Sequence, residues 1–376
     1  MKRFCGFITG FVFFISGILK LMDPVGAGLV MKEYFKFMHI GFLNFVSLPT
    51  GVAFALTETI IGVGLITGVW RKVMARLALI LQGLFTLLTL FLVIFNPEMD
   101  CGCFGEAVNL SHGETFTKNL ILLALLLIYY IPVKHLGQTK KKKYVSFAIV
   151  SVSSLAFAFY SLMFIPMADF TDLCLGAEIN KATAENTYEA GFVYIKDGIE
   201  ETFTLETLPD STWTFVRTEM TKSESDASAD NHISIYDDNG NYADSLLNRS
   251  RTMIVSVYKD NLSKKDIKRI DTFLNNAEAA GFHPLLLTSG AQLDSRFRYN
   301  CDYKTLITLN RSNGGVTYIE NGFILRKWAN RKLPAPKELA IISKENPTDT
   351  FTERDTKTSL AFQGFLLYVF AVMLLL

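Results

Sequence analysis

Long apolar stretches separated by short polar loops fill the first half of the chain, and a further apolar stretch ends it. A helix needs about 20 mostly apolar residues to cross roughly 30 Å of hydrocarbon. The stretches that reach or approach this length are residues 4–22, 49–70, 73–95, 117–133, 144–167 and 359–376. This pattern predicts an α-helical polytopic membrane protein with a transmembrane helix at each of these stretches.

Residues 170–357 have a polar pattern and predict one soluble α/β domain. RTMIVSVY (251–258) predicts a buried strand, and a helix follows it with Ser263 as its N-cap and Gly281 at its end. FHPLLLTS predicts a second strand, DYKTLITLN a short helix, and GVTYIE with FILRKW a hairpin that turns at Asn321-Gly322. The order predicts a parallel strand pair followed by an antiparallel pair in one sheet.

The composition supports the membrane assignment. The chain has 376 residues, of which 50% are hydrophobic and 19% are charged. It is too apolar for an ordinary soluble enzyme and fits a membrane protein with an attached soluble domain. Because the net charge is only +1, we expect the lipid bilayer as a partner and no nucleic acid.

The basic residues of the short loops predict the orientation. They precede the first stretch or lie in alternate loops: Lys2, Arg3, Arg71, Lys72, Arg76, Lys134 and Lys140 to Lys143. We therefore expect a bacterial inner-membrane protein with a cytoplasmic N-terminus, loop 96–116 outside and residues 170–357 in the periplasm. The first stretch could also be a signal peptide, but GILKLMDP at its end lacks an A-x-A cleavage pattern.

Two cysteines one residue apart follow the third stretch, in NPEMDCGCFGEA (96–107). In an oxidising compartment Cys101 and Cys103 tend to form a disulfide, and its small, strained ring would exchange readily. Thiol-disulfide exchange with a periplasmic thiol protein is therefore one interpretation, and a tight turn or structural pairing elsewhere are the alternatives. With His112 the pair offers at most three metal ligands without recognisable spacing, so we expect no metal.

The other cysteines are Cys5 at the start of the first stretch and Cys174 and Cys301 in the soluble domain. Since each soluble-domain cysteine could find a partner within that domain, we expect a structural Cys174–Cys301 bridge. The alternative is that one of them exchanges with the Cys101 and Cys103 pair.

Two charged residues interrupt the apolar stretches. Glu58 lies deep in the second stretch, where an unpaired carboxylate is costly, and Lys20 lies near the end of the first. The long stem of Lys20 allows its ammonium group to reach inward, so we expect a Lys20–Glu58 pair. The pair could handle protons or could simply hold the helices together.

Two parts of the sequence resemble known protein families. SGILKLMDP, TETIIGVGLITG and CGCFG together resemble the DoxX and MauE group of membrane proteins over about residues 4–133. That resemblance implies a four-helix transmembrane bundle at 1–135, associated with redox maturation beside a thioredoxin-like partner. The apolar stretches place further transmembrane helices at 144–168 and 359–376. LITLNRSNGGVTYIENGFILRKW resembles the C-terminal half of periplasmic thioredoxin-like domains over about residues 250–335.

The second resemblance implies a thioredoxin-like fold for residues 170–357. In that family Cys-x-x-Cys follows the first of these strands, where the helix N-terminus lowers the thiol pKa. Here that place reads YKDNLSKKD, and the position of the family's cis-proline holds Gly315. We therefore expect a domain that has kept the fold and lost the chemistry.

Two classes of function fit the sequence. One is a membrane thiol-disulfide oxidoreductase in which Cys101, Cys103, Glu58 and Lys20 are the candidate catalytic residues. A quinone held between the helices is then a candidate electron acceptor, although no motif encodes one. The other is a non-enzymatic membrane scaffold or small-molecule carrier whose soluble domain binds a partner.

Overall fold

The protein has a helical N-terminal part and a mixed α/β C-terminal part. The computed structural model describes residues 2–97, 99, 101–108, 110–131, 139–166, 169–180, 188–196, 199–203, 213–222, 231–290, 293–345, 363–369 and 371–372. The N-terminal helices are α1 (Lys2–Met22), α2 (Pro24–Phe37), α3 (Ser47–Thr67), α4 (Arg71–Phe95), α5 (His112–Tyr130) and α6 (Lys141–Met163). A short strand, β1 (Cys103–Glu106), lies between α4 and α5. We call α1 to α6 with their connections the membrane domain.

Within the described residues, four helices are long and apolar enough to cross a membrane: Arg3–Met22, Gly41–Thr67, Arg71–Phe95 and Lys141–Met163. They confirm the first, second, third and fifth predicted stretches, so the chain is a polytopic membrane protein. The fourth stretch forms α5, which is not among the four, although it packs against α4 and α1 in the same bundle. The last stretch lies partly outside the described residues; within it, Phe365 stacks on Phe157 of α6.

Small residues let α1 and α3 approach closely. A Cβ atom at Gly17 would lie 2.2 Å from Oγ1 of Thr59, and one at Gly62 would lie 2.5 Å from the backbone nitrogen of Phe14. Only glycine leaves room for this contact, and small residues at membrane helix interfaces favour such packing. The contact brings the last turns of α1 alongside the first half of α3.

Residues 23–46, between the first two predicted apolar stretches, contain α2 and a 3₁₀ turn at Gly41–Val46. Asp23 caps α2 by accepting a hydrogen bond from the backbone nitrogen of Gly26 at 3.0 Å, and Pro24 occupies the first turn. Helix α2 lies on α3, because a Cβ atom at Gly51 would be only 2.7 Å from the carbonyl oxygen of Ala27. The helix covers the end of the bundle at which α1 finishes.

The C-terminal domain, residues 169–345, contains two sheets. The first has the order β3-β2-β4, with strands β2 (Tyr188–Lys196), β3 (Ile199–Phe203) and β4 (Thr214–Lys222). The second has the order β10-β9-β6-β7-β8-β5, with strands β5 (Ile235–Tyr236), β6 (Thr252–Val257), β7 (His283–Thr288), β8 (Arg298–Cys301), β9 (Gly315–Glu320) and β10 (Phe323–Trp328). Helices α7 (Lys264–Ala279), α8 (Tyr303–Leu309) and α9 (Pro336–Ile342) pack against it.

The predicted strand arrangement is confirmed. Strands β6 and β7 are parallel, whereas β9 is antiparallel to β6 and β10 is antiparallel to β9. Ser263 caps α7 by accepting a hydrogen bond from the backbone nitrogen of Asp266 at 3.2 Å. Asn321 and Gly322 have φ angles of +50° and +84°, as a tight hairpin requires. The smaller sheet β3-β2-β4 had not been predicted.

The C-terminal domain contacts the membrane domain through α2. Val25 and Leu29 of α2 pack against the core cluster that contains Leu306 and Leu309 of α8. Lys32 of α2 lies over the ring of Tyr303, 4.9 Å from its centroid. Helix α2 therefore joins the end of the helical bundle to the sheet domain.

Candidate functional site

A cavity of about 280 Å³ lies between α1, α2, α3, α4 and α5. Its lining is mainly apolar and includes Phe13, Phe35, Phe54, Phe85, Leu88 and Leu122. All four predicted site residues, Lys20, Glu58, Cys101 and Cys103, also line it. The structure therefore brings together the cysteine motif and the charged pair, which the sequence had indicated separately.

The cysteine loop, residues 101–106, needs its glycines. Gly102 has φ +59° and Gly105 has φ +63°, in the left-handed region that side chains disfavour. A Cβ atom at Gly102 would also lie 2.3 Å from Cγ1 of Val30 on α2. The sequence Cys-Gly-Cys-Phe-Gly thus folds back on itself against α2 at the end of α4.

Two hydroxyl groups hold the backbone of the cysteine pair. The Tyr34 hydroxyl donates to the carbonyl oxygen of Cys101 at 2.9 Å, and Ser16 Oγ donates to that of Cys103 at 2.6 Å. Cys101 is buried with 5% exposure, whereas Cys103 is a partly exposed free thiol. Cys103 is therefore the more accessible of the two sulfur atoms.

The predicted Lys20–Glu58 pair is confirmed. Lys20 Nζ lies 2.8 Å from Glu58 Oε1 and 2.7 Å from Oε2, and the exposed fractions of the two side chains are 13% and 4%. Ser16 Oγ lies 3.2 Å from Glu58 Oε2 and accepts from Lys20 Nζ at 3.3 Å. Since Ser16 also contacts Cys103, a hydrogen-bonded connection runs from the ion pair to the cysteine loop.

The opposite wall of the cavity carries two buried amides that sequence reasoning missed. Gln82 Nε2 donates to the carbonyl oxygen of Asn119 at 3.0 Å, and Asn119 Nδ2 donates to Thr89 Oγ1 at 3.2 Å. Gln82 is 1% exposed and Asn119 is 2% exposed. Polar residues inside the apolar stretches 73–95 and 117–133 were the available signal, because such residues usually face the interior of a bundle.

Arg311 joins the C-terminal domain to the start of α2 and to the end of the cysteine loop. Its Nε lies 2.8 Å from Asp23 Oδ2, its Nη2 bonds Glu106 Oε2, and its side chain is 3% exposed. Burial alone would lower the pKa of Arg311, but the carboxylates of Asp23 and Glu106 outweigh it and raise that pKa. Burial raises the pKa of Glu106, and Arg311 only partly offsets this rise. Arg311 belongs to the RSNGG segment of the sequence, which had indicated a fold and not a contact.

Cys174 and Cys301, both within the described residues, are separate free thiols, so the predicted bridge between them is wrong. The backbone near Cys174 pairs with β10, where Gly176 donates to Ile324, whereas Cys301 ends β8. Strands β9, β6 and β7 separate β10 from β8. At about 4.8 Å per strand this exceeds the reach of a disulfide.

The remaining polar groups near the loop do not form a metal site. His112 Nε2 lies 3.0 Å from the carbonyl oxygen of Met99, and Nδ1 lies 3.2 Å from Asn96 Oδ1. In the part of the chain that the structure describes, no group of three or more His, Cys, Asp or Glu side chains is placed to hold a metal ion.

Comparison with known families bears on two parts of the chain. Residues 2–132 match the family described as methylamine utilisation protein MauE, and residues 188–223 match a domain of unknown function, DUF8463. No curated protein and no solved structure matches the chain. The first match contains α1 to α5, the cavity and all four predicted site residues, whereas the second contains the sheet β3-β2-β4. Residues 2–132 are thus similar to the MauE family, in a polytopic membrane protein with a C-terminal mixed-sheet domain.

Proposed function

We propose that the protein carries out thiol-disulfide exchange through Cys101 and Cys103 with a thiol protein at the outer face of the membrane. The observation that carries the proposal is the cysteine loop itself. The two cysteines flank Gly102, whose left-handed backbone favours glycine, and hydroxyl groups of neighbouring helices hold both cysteine carbonyls. A fixed loop with one accessible and one buried sulfur suits a disulfide that is attacked at the accessible sulfur while the buried one leaves as a thiolate.

The proposed exchange passes two electrons and two protons from the partner to the cysteine pair. A partner thiolate attacks Sγ of Cys103 in the Cys101–Cys103 disulfide, a partner S–S bond forms, and Cys101 leaves as a thiolate that takes up a proton. A second partner thiolate then attacks its own mixed-disulfide sulfur and releases Cys103. The partner loses two electrons and two protons, and the cysteine pair gains them. Cys103 is the attacked sulfur because it is the more exposed one.

The C-terminal domain is proposed to be a thioredoxin-like domain without redox chemistry of its own. The order β10-β9-β6-β7-β8 and the capped helix α7 after β6 support this assignment. No cysteine lies near Ser263, where that family carries its reactive pair. Because Arg311 bonds Glu106 at the end of the cysteine loop, the domain positions the loop and presents it to the partner.

The orientation is proposed to be that of a bacterial inner-membrane protein with a cytoplasmic N-terminus. Thr139, beside the lysine run at 140–143, donates to the carbonyl oxygen of Gly68 near Arg71, so these basic segments lie at one end of the bundle. The cysteine loop and the C-terminal domain lie at the other end, against Ser16 and Asp23. Phosphatase fusions at Val108 and Asn239 should be active and one at Lys140 inactive; the reverse result would overturn this orientation.

The MauE family suggests a membrane protein in methylamine utilisation. Thiol exchange is tested by differential alkylation of Cys101 and Cys103 in isolated membranes, followed by mass spectrometry. We expect a population in which both cysteines are oxidised and become alkylatable only after reduction. If both remain thiols in an oxidising envelope, the scaffold or carrier function is the better account.

A further inference from the structure

We infer that the cavity between α1 and α5 binds the head group of a lipid-soluble quinone, which accepts the electrons of the reduced Cys101 and Cys103 pair. This inference rests on the proposed thiol exchange, because a pair that has oxidised its partner needs a two-electron acceptor before it can act again. It goes further by naming the chemical class of that acceptor and the residues that receive it.

The size and lining of the cavity suit one aromatic-sized ring. Its volume is about 280 Å³, near the lower end of the roughly 300–1,000 Å³ of small-molecule sites, so a ring fits and a long tail does not. Phe54 and Phe85 belong to its apolar wall. An apolar ring can pack between such side chains, and its tail must leave the protein.

We place the entrance of the cavity beside α4, on the side that faces lipid. Leu84 lines it and is 42% exposed in the middle of α4, a helix long and apolar enough to cross the membrane. A ligand dissolved in the bilayer can therefore enter beside Leu84 without passing through water. This route distinguishes a lipid-soluble acceptor from a water-soluble one.

The cavity also contains polar groups that can form hydrogen bonds with the oxygen atoms of a quinone ring. The Lys20 ammonium group lines the cavity and can donate to a carbonyl oxygen in place of its long 3.3 Å bond to Ser16. The side-chain hydrogen bonds of Gln82 and Asn119 use their amide nitrogens, and among the described residues no donor contacts either amide oxygen. Buried amides normally satisfy both their nitrogen and their oxygen, so these oxygens are ready to accept from a quinol hydroxyl.

The redox step balances without a further reagent. One cysteine thiolate gives its electron pair to the quinone, directly or through a transient sulfur adduct, and the second thiolate attacks the first sulfur so that the S–S bond forms. The quinone gains two electrons and the two protons that the thiols have lost, and leaves as quinol. Together with the exchange step, a partner dithiol and a quinone become a partner disulfide and a quinol.

Binding is tested on the full chain in lipid nanodiscs with decylubiquinone as the probe. The Cys101→Ser/Cys103→Ser variant separates binding from chemistry, because it has no thiol pair to oxidise and any signal from the quinone then reports binding alone. Leu84→Trp fills the mouth of the cavity and should weaken binding by about tenfold or more. Leu87→Trp is the matched control, since Leu87 is 50% exposed on the same helix and does not line the cavity.

Electron transfer is tested by adding the quinone to the pre-reduced protein and counting quinol formed and thiols lost. We expect one quinol for each cysteine pair and none from the double serine variant.

The inference is overturned if the quinone does not bind, or if Leu84→Trp and Leu87→Trp bind it with equal affinity. If the quinone binds but leaves the thiols reduced, while a partner is still trapped by a single-cysteine variant, the inference fails and the proposed exchange stands. If quinone oxidises the pair but no partner is ever trapped, the quinone site stands and the proposed exchange fails.

Discussion

Ser16 donates a hydrogen bond to the carbonyl oxygen of Cys103 at 2.6 Å, across 87 positions of the sequence. The same hydroxyl oxygen lies 3.2 Å from Oε2 of Glu58. Because a hydroxyl group has one proton to donate, the cysteine loop and the buried carboxylate compete for it. The Ser16 hydroxyl therefore links the Lys20–Glu58 pair to the loop that carries Cys103.

Removing that hydroxyl should loosen the loop. In Ser16→Ala the carbonyl of Cys103 loses its donor, at a cost of about 1 kcal/mol, and maleimide labelling of Cys103 in the reduced protein should become about fivefold faster. Ser154→Ala is the control, because Ser154 donates only to Val150 within its own helix. Equal labelling rates in the two variants would show that Ser16 does not restrain the loop.

The two members of the ion pair should respond differently to removal. Lys20→Met leaves the carboxylate of Glu58 buried and uncompensated, and we expect it to cost about 3–5 kcal/mol. Glu58→Gln should cost less, because the long stem of Lys20 can carry its charge toward the surface. The Lys20→Met/Glu58→Gln double variant should be more stable than Lys20→Met alone, as measured by denaturant unfolding in mixed micelles.

Proton handling by Glu58 is separable from this stability effect. If the site handles protons, Glu58→Gln should lower the exchange rate at unchanged amounts of folded protein. Lys118→Met is the control, since Lys118 lines the cavity but lies over the ring of Phe104 and outside the ion pair. Loss of folded protein to the same extent in Glu58→Gln and Glu58→Ala, without a separate rate defect, would leave only a structural clamp.

Docking of the C-terminal domain should depend on pH through Glu106. Its pKa is raised above 4.5 because burial disfavours its charged form, so the docked state binds a proton more tightly than the undocked state. Docking is therefore strongest below pH 4.5, and it weakens as the pH rises through the raised pKa of Glu106. Glu106→Gln keeps an acceptor for Arg311 and should remove this dependence.

The measurement is hydrogen exchange at residues 23–27 and 311–315, with wild type and variant compared at each pH. The difference in protection should grow as the pH rises and then become constant. Arg311→Gln should lose protection at every pH because it leaves Asp23 without its cation, whereas Arg331→Gln, at an exposed position, should not. A constant difference between wild type and Glu106→Gln at all pH values would contradict this account.

The thiol of Cys301 should react slowly with alkylating reagents. Burial raises its pKa to about 12, so the reactive thiolate is scarce at neutral pH. We expect iodoacetamide to modify it about 100-fold or more slowly than Cys103, with a rate that keeps rising toward pH 12. We also expect Cys174→Ser and Cys301→Ser to keep full exchange activity. Loss of activity in one of these variants would place that cysteine in the exchange pathway.

The helices and strands with strong periodic signals could be predicted from the sequence. The hairpin at Asn321-Gly322 and the cap at Ser263 are local features, encoded within a few residues. The Lys20–Glu58 pair followed from the cost of burying a charge in an apolar stretch. These features share one property: the physical reason for each lies in the segment itself.

The contacts that build the site could not be predicted in the same way. Helix α2 is neither long nor uniformly apolar, and only Asp23-Pro24 marks its start. Ser16 carries no local signal for its bond to Cys103, and Arg311 reaches Asp23 across 288 positions. Such contacts depend on how the elements pack, which the pattern of a single segment does not contain.

The central claim is that Cys101 and Cys103 exchange disulfides with a partner, and trapping tests it most directly. The full chain is expressed as wild type, Cys101→Ser, Cys103→Ser and the double variant, and membranes are quenched with acid and alkylated. In each single variant the remaining thiolate should attack a disulfide of the oxidised partner and stay joined to it in a mixed disulfide that reductant releases, because the second cysteine is gone. More should be trapped in Cys101→Ser, since the partly exposed Cys103 remains. Wild type and the double variant should trap little. If both cysteines stay alkylatable under oxidising conditions and neither single variant traps a partner, thiol exchange is contradicted.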